Sequence, residues 1–285
     1  MGPDRMQQQR FELKYLITEK VALRIRDFVS SYLEIDEYGA SKPNLSYPVH
    51  SLYLDSNDLK TYHQTLNGTK NRFKLRLRFY DEQPETPIFF EIKRRVNNCI
   101  LKQRGAVRRG AVNWLLAGHL PEPGHLISQE PKQLVALQRF SLLVNHLHAQ
   151  PKAHVAYFRE AWVSPHDNSV RVTVDRAMTC EPRFSTVAST RLENPVYTYG
   201  RNVILELKFT DRFPDWFRDL VRVFGLMQYS AAKYAEGVTL LGEHRFHDGY
   251  ASRDWRASPA EASAHLRVAE GSAPSGQPKN LLSEL

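Results

Sequence analysis

Residues 71–80, NRFKLRLRFY, constrain the fold of this chain more than any other stretch. Side chains alternate across a β-strand. Arg72, Lys74, Arg76 and Arg78 therefore share one face, and Phe73, Leu75, Leu77 and Phe79 share the other. Four like charges spaced about 7 Å apart along one face repel each other. Such a strand is tolerable where water screens the charges or a polyanion lies across them. Its apolar face needs a second layer to bury it.

Five other segments alternate in the same way. Residues 10–17, RFELKYLI, put Arg10, Glu12 and Lys14 opposite Phe11, Leu13 and Tyr15. Residues 87–95 place Glu91, Lys93 and Arg95 together, and residues 153–163 place Tyr157 beside Arg159. Residues 169–175 group Arg171, Thr173 and Asp175. Residues 203–209, VILELKF, set Glu206 and Lys208 opposite Leu205, Leu207 and Phe209. One charged face alone is what the solvated side of an antiparallel sheet shows. Six such faces, several pairing a carboxylate with a cation two residues away, point instead to a shared polar interior.

Segments 47–54 and 98–104 bring the count to about eight strands. Helices are expected at 18–33 with Thr18 as N-cap, at 58–66, over 110–148 with a break at PEPG, at 215–226 and at 230–241. Helices packed on the apolar strand faces leave the charged faces turned inward. The expected fold is therefore α+β: a closed antiparallel β-barrel, a tunnel of about eight strands with a basic interior and helices outside. An eight-stranded barrel has room for side chains or one small ligand. Burying that many unpartnered cations costs several kcal/mol each, a cost that an anionic ligand with metal ions offsets. Residues 1–9 are expected to be flexible, 10–248 to form the folded domain, and 249–285, rich in Ser, Ala, Pro, Gly and Glu, to be a disordered tail.

The net charge of +8 fits a polyanionic partner. From Tyr250 onward four basic residues meet four acidic ones, so the surplus lies in residues 1–249. Two cysteines, Cys99 and Cys180, make no disulfide framework and suggest a reducing cytoplasm; both read as small apolar residues. No apolar run approaches the ~20 residues that span a bilayer, and the beginning, MGPDRMQQQR, lacks the apolar core of a secretory signal. The eleven histidines show no zinc-site spacing. Nucleic acid is disfavoured as the polyanion. Single-strand binders interleave aromatic platforms with cations, whereas Phe73 and Phe79 lie opposite the basic face.

The segments RFELKYLI, HSLYLDSNDLKTYHQTLNG, RFKLRLRFY, FFEIKRRVNNCILKQR, AYFREAWV, SVRVTVDR, VILELKF and YSAAKYAEGV, in that order, span residues 10 to 238. Together they resemble the VTC domain, the polyphosphate polymerase domain of the vacuolar transporter chaperone family, in its short bacterial form. That domain is part of the triphosphate tunnel metalloenzyme, or CYTH-like, superfamily. The resemblance implies a basic tunnel in which the γ-phosphate of ATP passes to a growing inorganic polyphosphate chain with Mn²⁺ or Mg²⁺. By motif, Lys14, Arg76, Arg78, Lys93, Lys208 and Lys233 would act on the reacting phosphates, and Lys74, Tyr157, Arg159, Arg171 and Ser230 would bind the chain. Glu206 would be the main metal carboxylate, with Glu12 and Glu91 as further candidates. The family's usual Ser-Lys-Tyr is Ala232-Lys233-Tyr234 here, with Ser230 nearby. The SPX domain and membrane helices of the eukaryotic complex are not present in these residues, so translocation would call for a separate membrane partner at the inner face of the membrane.

Phosphoryl transfer needs positioning and charge neutralisation more than covalent chemistry. A polymerase needs no dedicated base, because a terminal phosphate oxygen is already a nucleophile. A hydrolase must orient water, and Glu12, Glu91 or Asp175 could do so. The sequence thus leaves three readings: polymerase, metal-dependent tri- or polyphosphatase, and non-catalytic sensor of polyphosphate or nucleotide.

Overall fold

The computed structural model describes residues 10–97, 99–165, 167, 169–210 and 212–247. The expectations for residues 1–9 and 249–285 lie outside the described residues. In chain order the elements are β1 (Arg10–Ile17), α1 (Glu19–Val29), β2 (Glu34–Ile35), α2 (Glu37–Ala40), β3 (Ser46–Asp55), α3 (Lys60–Leu66), β4 (Asn71–Phe79), β5 (Ile88–Val96) and β6 (Cys99–Val107). They continue with α4 (Val112–Leu116), α5 (Pro131–Leu147), β7 (Gln150–Val163), β8 (Val170–Pro182), β9 (Val196–Tyr197), β10 (Val203–Thr210), α6 (Asp215–Val223) and α7 (Lys233–Leu241). Every strand expected from alternation is present. β8 runs seven residues past its expected end at 175, and the short β2 and β9 were not foreseen.

The strands form one antiparallel ten-stranded sheet in the order β2-β7-β3-β4-β5-β6-β1-β10-β8-β9. The sheet curls, because β7 pairs with both β3 and β8. It is not closed into a barrel of about eight strands, and that expectation is corrected here. β1 and β6 share a single residue pair, Arg10 with Ile100. Beyond it the edge of β1 is taken by the connector between α6 and α7: Tyr15 bridges Gln228, and the Tyr229 N–H donates to Lys14 O at 2.8 Å. A strand edge satisfied by a connector has no groups left for a neighbouring strand. The seam therefore stays open.

Three of the helices cover the convex, apolar face as expected. α1 starts at Thr18, whose hydroxyl accepts from Val21 N–H, and buries Ala22, Ile25 and Val29 in one cluster with Leu205 and Leu207 of β10 and Phe217 and Leu220 of α6. α5 buries Leu137, Phe140 and Val144 against Leu75 and Leu77 of β4 and Phe90 of β5. The backbone approach there is close: a Cβ on Gly105 would lie 2.4 Å from Leu137 Cγ, so glycine lets β6 meet α5. α7 departs from the expectation that helices lie outside. It packs in one cluster with Tyr53, Val155, Tyr157, Met178 and Cys180, on the concave side. A bulge makes this possible. Ala177 adopts φ +48°, and the β7–β8 register shifts beside it. Past the bulge, apolar Met178 and Cys180 turn inward where charged residues had faced the cavity.

Candidate phosphate-binding cavity

The concave face encloses a cavity of about 1050 Å³ lined by fourteen lysines and arginines. Six carboxylates lie among or directly behind them: Glu12, Asp36, Glu91, Asp167, Asp175 and Glu206. Each charged strand face read from the sequence contributes. β4 supplies Arg72, Lys74, Arg76 and Arg78; β1 supplies Glu12 and Lys14; β10 supplies Glu206 and Lys208. Lys93, Tyr157, Arg159, Arg171, Ser230 and Lys233 line it too. The structure thus brings all the expected binding residues to one cavity, with Glu91 buried just behind the wall.

Glu206 is the hub. Lys233 Nζ donates to its Oε1 at 2.7 Å and Lys208 Nζ to its Oε2 at 2.6 Å. Thr173 Oγ1 donates to Oε2 at 3.1 Å, Arg159 Nη2 lies 3.4 Å away, and Lys14 Nζ is 3.5 Å from Oε1. Burial pushes this carboxyl up, but Lys208, Lys233 and Lys14 outweigh burial and hold it well below the usual carboxylate range. Asp175 lies alongside. Arg159 grips both of its oxygens at 2.7 Å, and Lys233 Nζ reaches Oδ2 at 2.8 Å. Asp175, which alternation groups with Arg171 and Thr173, is thus an interior carboxylate.

A second anion, Glu91, is fully buried and anchors the β4–β6 wall. Arg76 Nη2 lies 2.6 Å from Oε2 and Lys102 Nζ 2.6 Å from Oε1, with Arg104 Nε at 3.6 Å and Arg78 Nε at 3.9 Å. Arg78 is buried, donates to Ser51 Oγ at 3.3 Å and Tyr157 Oη at 3.0 Å, and has no hydrogen-bond partner on Nε. Glu12 takes Lys93 Nζ at 2.9 Å and Lys14 Nζ at 3.2 Å. Arg171 is held 2.9 Å from Asp36, which also accepts from Tyr47 Oη.

Lys74 stands apart. Its nearest described interaction is with the Tyr234 ring, 5.8 Å from Nζ to the centroid. Burial, then Lys14 and Lys93, push its pKa down to about 7. Lys208 also falls to about 7, through burial partly offset by Glu206 and reinforced by Arg159. Ser230 is exposed and precedes α7 rather than lying in it, which corrects the expected start of that helix at 230.

Metal-ligand chemistry divides the three expected carboxylates. A hard divalent cation such as Mg²⁺ is held by one or two carboxylates together with substrate phosphates. Glu12 and Glu206 fit that pattern, because both line the cavity and so can meet an ion carried by phosphate. Glu91 does not fit, since it is fully buried behind the wall and does not line the cavity. Among the described residues no three Asp, Glu, His or Cys side chains form an all-protein metal cage.

Sequence reasoning missed Lys102, Arg104 and Asp36. The first two sit at i and i+2 in a segment already read as a strand, so the alternation was visible. Asp36 carried no such signal; it caps α2 and reaches Arg171 only through the fold.

Among the described residues no helix is long and apolar enough to cross a membrane. The chain is 28% identical over 131 residues to vacuolar transporter chaperone complex subunit 2 of Schizosaccharomyces pombe. That alignment covers 44% of this chain and 18% of the relative, so the chain matches less than a fifth of the curated relative's length. Similar solved structures include a candidate adenylate cyclase from Bacillus halodurans, at TM-score 0.44 and 13% identity over 79% of this chain and 95% of that one. The PH1819 protein of Pyrococcus horikoshii has TM-score 0.42 and 12% identity over 82% and 99% of the two chains. The mimivirus capping enzyme triphosphatase has TM-score 0.33 and 10% identity over 77% and 90%. The model of the VTC domain matches residues 9–242, and with most of its length covered the chain belongs to the VTC domain family.

Proposed function

We propose that this protein is a polyphosphate polymerase, which transfers the γ-phosphate of ATP to a growing inorganic polyphosphate chain in the cavity. The observation that carries the reading is the surplus of cations. Fourteen lysines and arginines surround one cavity against six carboxylates, a charge balance that a linear run of phosphates completes. Arg76 and Arg78 offer guanidinium forks to phosphate oxygens, and Lys14, Lys74, Lys93, Lys208 and Lys233 offer point charges. Arg159, Arg171, Tyr157 and Ser230 extend the row. Together they hold acceptor and donor in line and neutralise charge as the phosphoryl group moves.

Glu206, with Glu12, would hold Mn²⁺ or Mg²⁺. The ion, when bound, neutralises charge on phosphate oxygens. Transfer is favoured over hydrolysis by the state of the carboxylates. Glu91 and Asp175 are each held by at least two cations, and Glu12 and Glu206 are assigned to the ion, which leaves none of these four poised to orient water. A phosphate terminus needs no base. A separate membrane protein would then carry the product away.

The test is incubation of purified protein with ATP and Mn²⁺, followed by polyphosphate staining on a gel and a parallel free-phosphate assay. A ladder of long anions with ADP release is expected. Free phosphate without a ladder would replace the polymerase with a hydrolase. Binding of ATP and of polyphosphate with neither product would make the protein a sensor.

A further inference from the structure

Aromatic side chains gather at one rim of the cavity, next to its cations. Tyr47 and Tyr80 line the cavity itself, and Tyr80 extends the inward-facing row of β4 by one step beyond Arg78. Their rings lie 6.2 Å apart. Tyr38 of α2 lies 5.9 Å from Tyr47 and is 65% exposed, so one large π surface faces solvent beside the opening. On the other side Tyr80 meets Phe89 edge-on at 6.1 Å, and the Arg104 guanidinium lies 3.3 Å from the centre of the Phe89 ring. Arg104 Nε is buried and has no hydrogen-bond partner. Packing does not account for an exposed tyrosine on a four-residue helix beside a charged opening. Flat aromatic and guanidinium faces next to phosphate-binding cations are, however, what a nucleotide base needs.

We infer that Tyr38, Tyr80 and Arg104 form a subsite for the nucleobase of the donor nucleotide. This rests on the reading of the cavity as a phosphate site and names where the non-phosphate end of the donor sits. Inorganic polyphosphate has no base, so the subsite separates donor from acceptor. The base stays at the rim, and the triphosphate runs inward past Arg78 and Tyr157. Stacking is tolerant of base identity, because every base has a π face. Discrimination among ATP, GTP and CTP is accordingly weak.

The experiment compares ATP with inorganic triphosphate as titrants by calorimetry. The proteins are wild type, Tyr38→Ala, Tyr38→Trp and Tyr229→Ala, the last an exposed tyrosine on the connector between α6 and α7. Tyr38→Ala is expected to weaken ATP about tenfold and to leave triphosphate affinity unchanged, which also reports an intact fold. Tyr38→Trp should retain ATP affinity. Equal loss for both titrants in Tyr38→Ala, no loss for either, or an ATP-selective loss in Tyr229→Ala instead would overturn the subsite while leaving the phosphate reading standing. Failure of the wild type to bind triphosphate would overturn both.

Discussion

Lys74 offers the sharpest test of the electrostatics, because it is a cavity lysine for which no carboxylate contact is described. Its pKa of about 7, against an ordinary 10.5, comes from burial and from Lys14 and Lys93. At pH 8 a group of pKa 7 is only about one-tenth protonated. A phosphate chain laid beside it supplies the missing anion and returns the pKa toward its ordinary range, where protonation is nearly complete. Binding of triphosphate at pH 8 should therefore draw about 0.9 proton onto Lys74. The count is read by titration calorimetry in Hepes and in Tris, whose ionisation enthalpies differ, as the slope of observed heat against buffer heat. Protons gained or lost by triphosphate itself cancel in the difference between wild type and Lys74→Met. That difference should be close to one proton at pH 8 and shrink to about half at pH 7. Identical slopes in the two proteins would refute the reasoning.

The same shift has a stability consequence in the empty protein. A lysine whose folded pKa is depressed binds its proton more weakly than in the unfolded chain. Its cost is fully present below about pH 7 and fades as pH rises toward 10.5. Lys74→Met should thus be more stable than wild type at pH 7, by a few kcal/mol at most, and lose that advantage by pH 10. Urea melts at the two pH values measure it.

Removing Glu206 should do more than abolish metal-dependent turnover. Glu206→Ala leaves Lys14, Lys208, Lys233 and Arg159 facing each other around an empty position, and breaking a buried ionic cluster costs about 3–5 kcal/mol. A large drop in melting temperature, partly restored by added triphosphate, is expected; an unchanged melting temperature would show that the cluster is not stabilising. Arg78→Ala should weaken triphosphate binding and flatten its dependence on salt, since one fewer cation meets the anion; titrations at low and high ionic strength check this. Gly237→Ala should destabilise by about 1–3 kcal/mol, because the new Cβ would stand 2.4 Å from Cys180 Sγ. Adding Cys180→Ala removes the sulfur but keeps a Cβ 2.8 Å away, so it should recover only part of that loss, as measured by thermal melts of the single and double variants.

What the sequence made legible was whatever depends on period two. The inward residues of β1, β4, β5, β7 and β10 follow from alternation, and so does the grouping of the binding residues at one cavity. Alternation is silent on who partners whom. Glu91 sits two residues from Lys93 in sequence, yet it pairs with Arg76 and Lys102 on the neighbouring strands, while Lys93 crosses to Glu12 on β1. Those pairings depend on register, which comes from the whole sheet. Closure was misread for a related reason. Strand count says nothing about what occupies an edge, and here Gln228 and Tyr229 satisfy the edge of β1 before β6 can. The placement of α7 was hidden by a bulge at Ala177, a left-handed alanine that no periodicity signals.

Those unreadable pairings explain how so basic a cavity folds at all. Glu12, Glu91, Asp175 and Glu206 each gather two or more cations, so much of the repulsion is neutralised before any ligand arrives. Neutralising it completely would leave no reason for a phosphate chain to bind. Part of the surplus sits at Lys74, set over a tyrosine ring instead of a carboxylate, and at Arg78, whose Nε has no hydrogen-bond partner. These are the positions where an incoming anion gains most, because it meets charge whose desolvation has already been incurred in folding. Converting Lys74 to a neutral side chain should therefore move stability and phosphate affinity in opposite directions, and that opposition distinguishes a binding cation from a structural one.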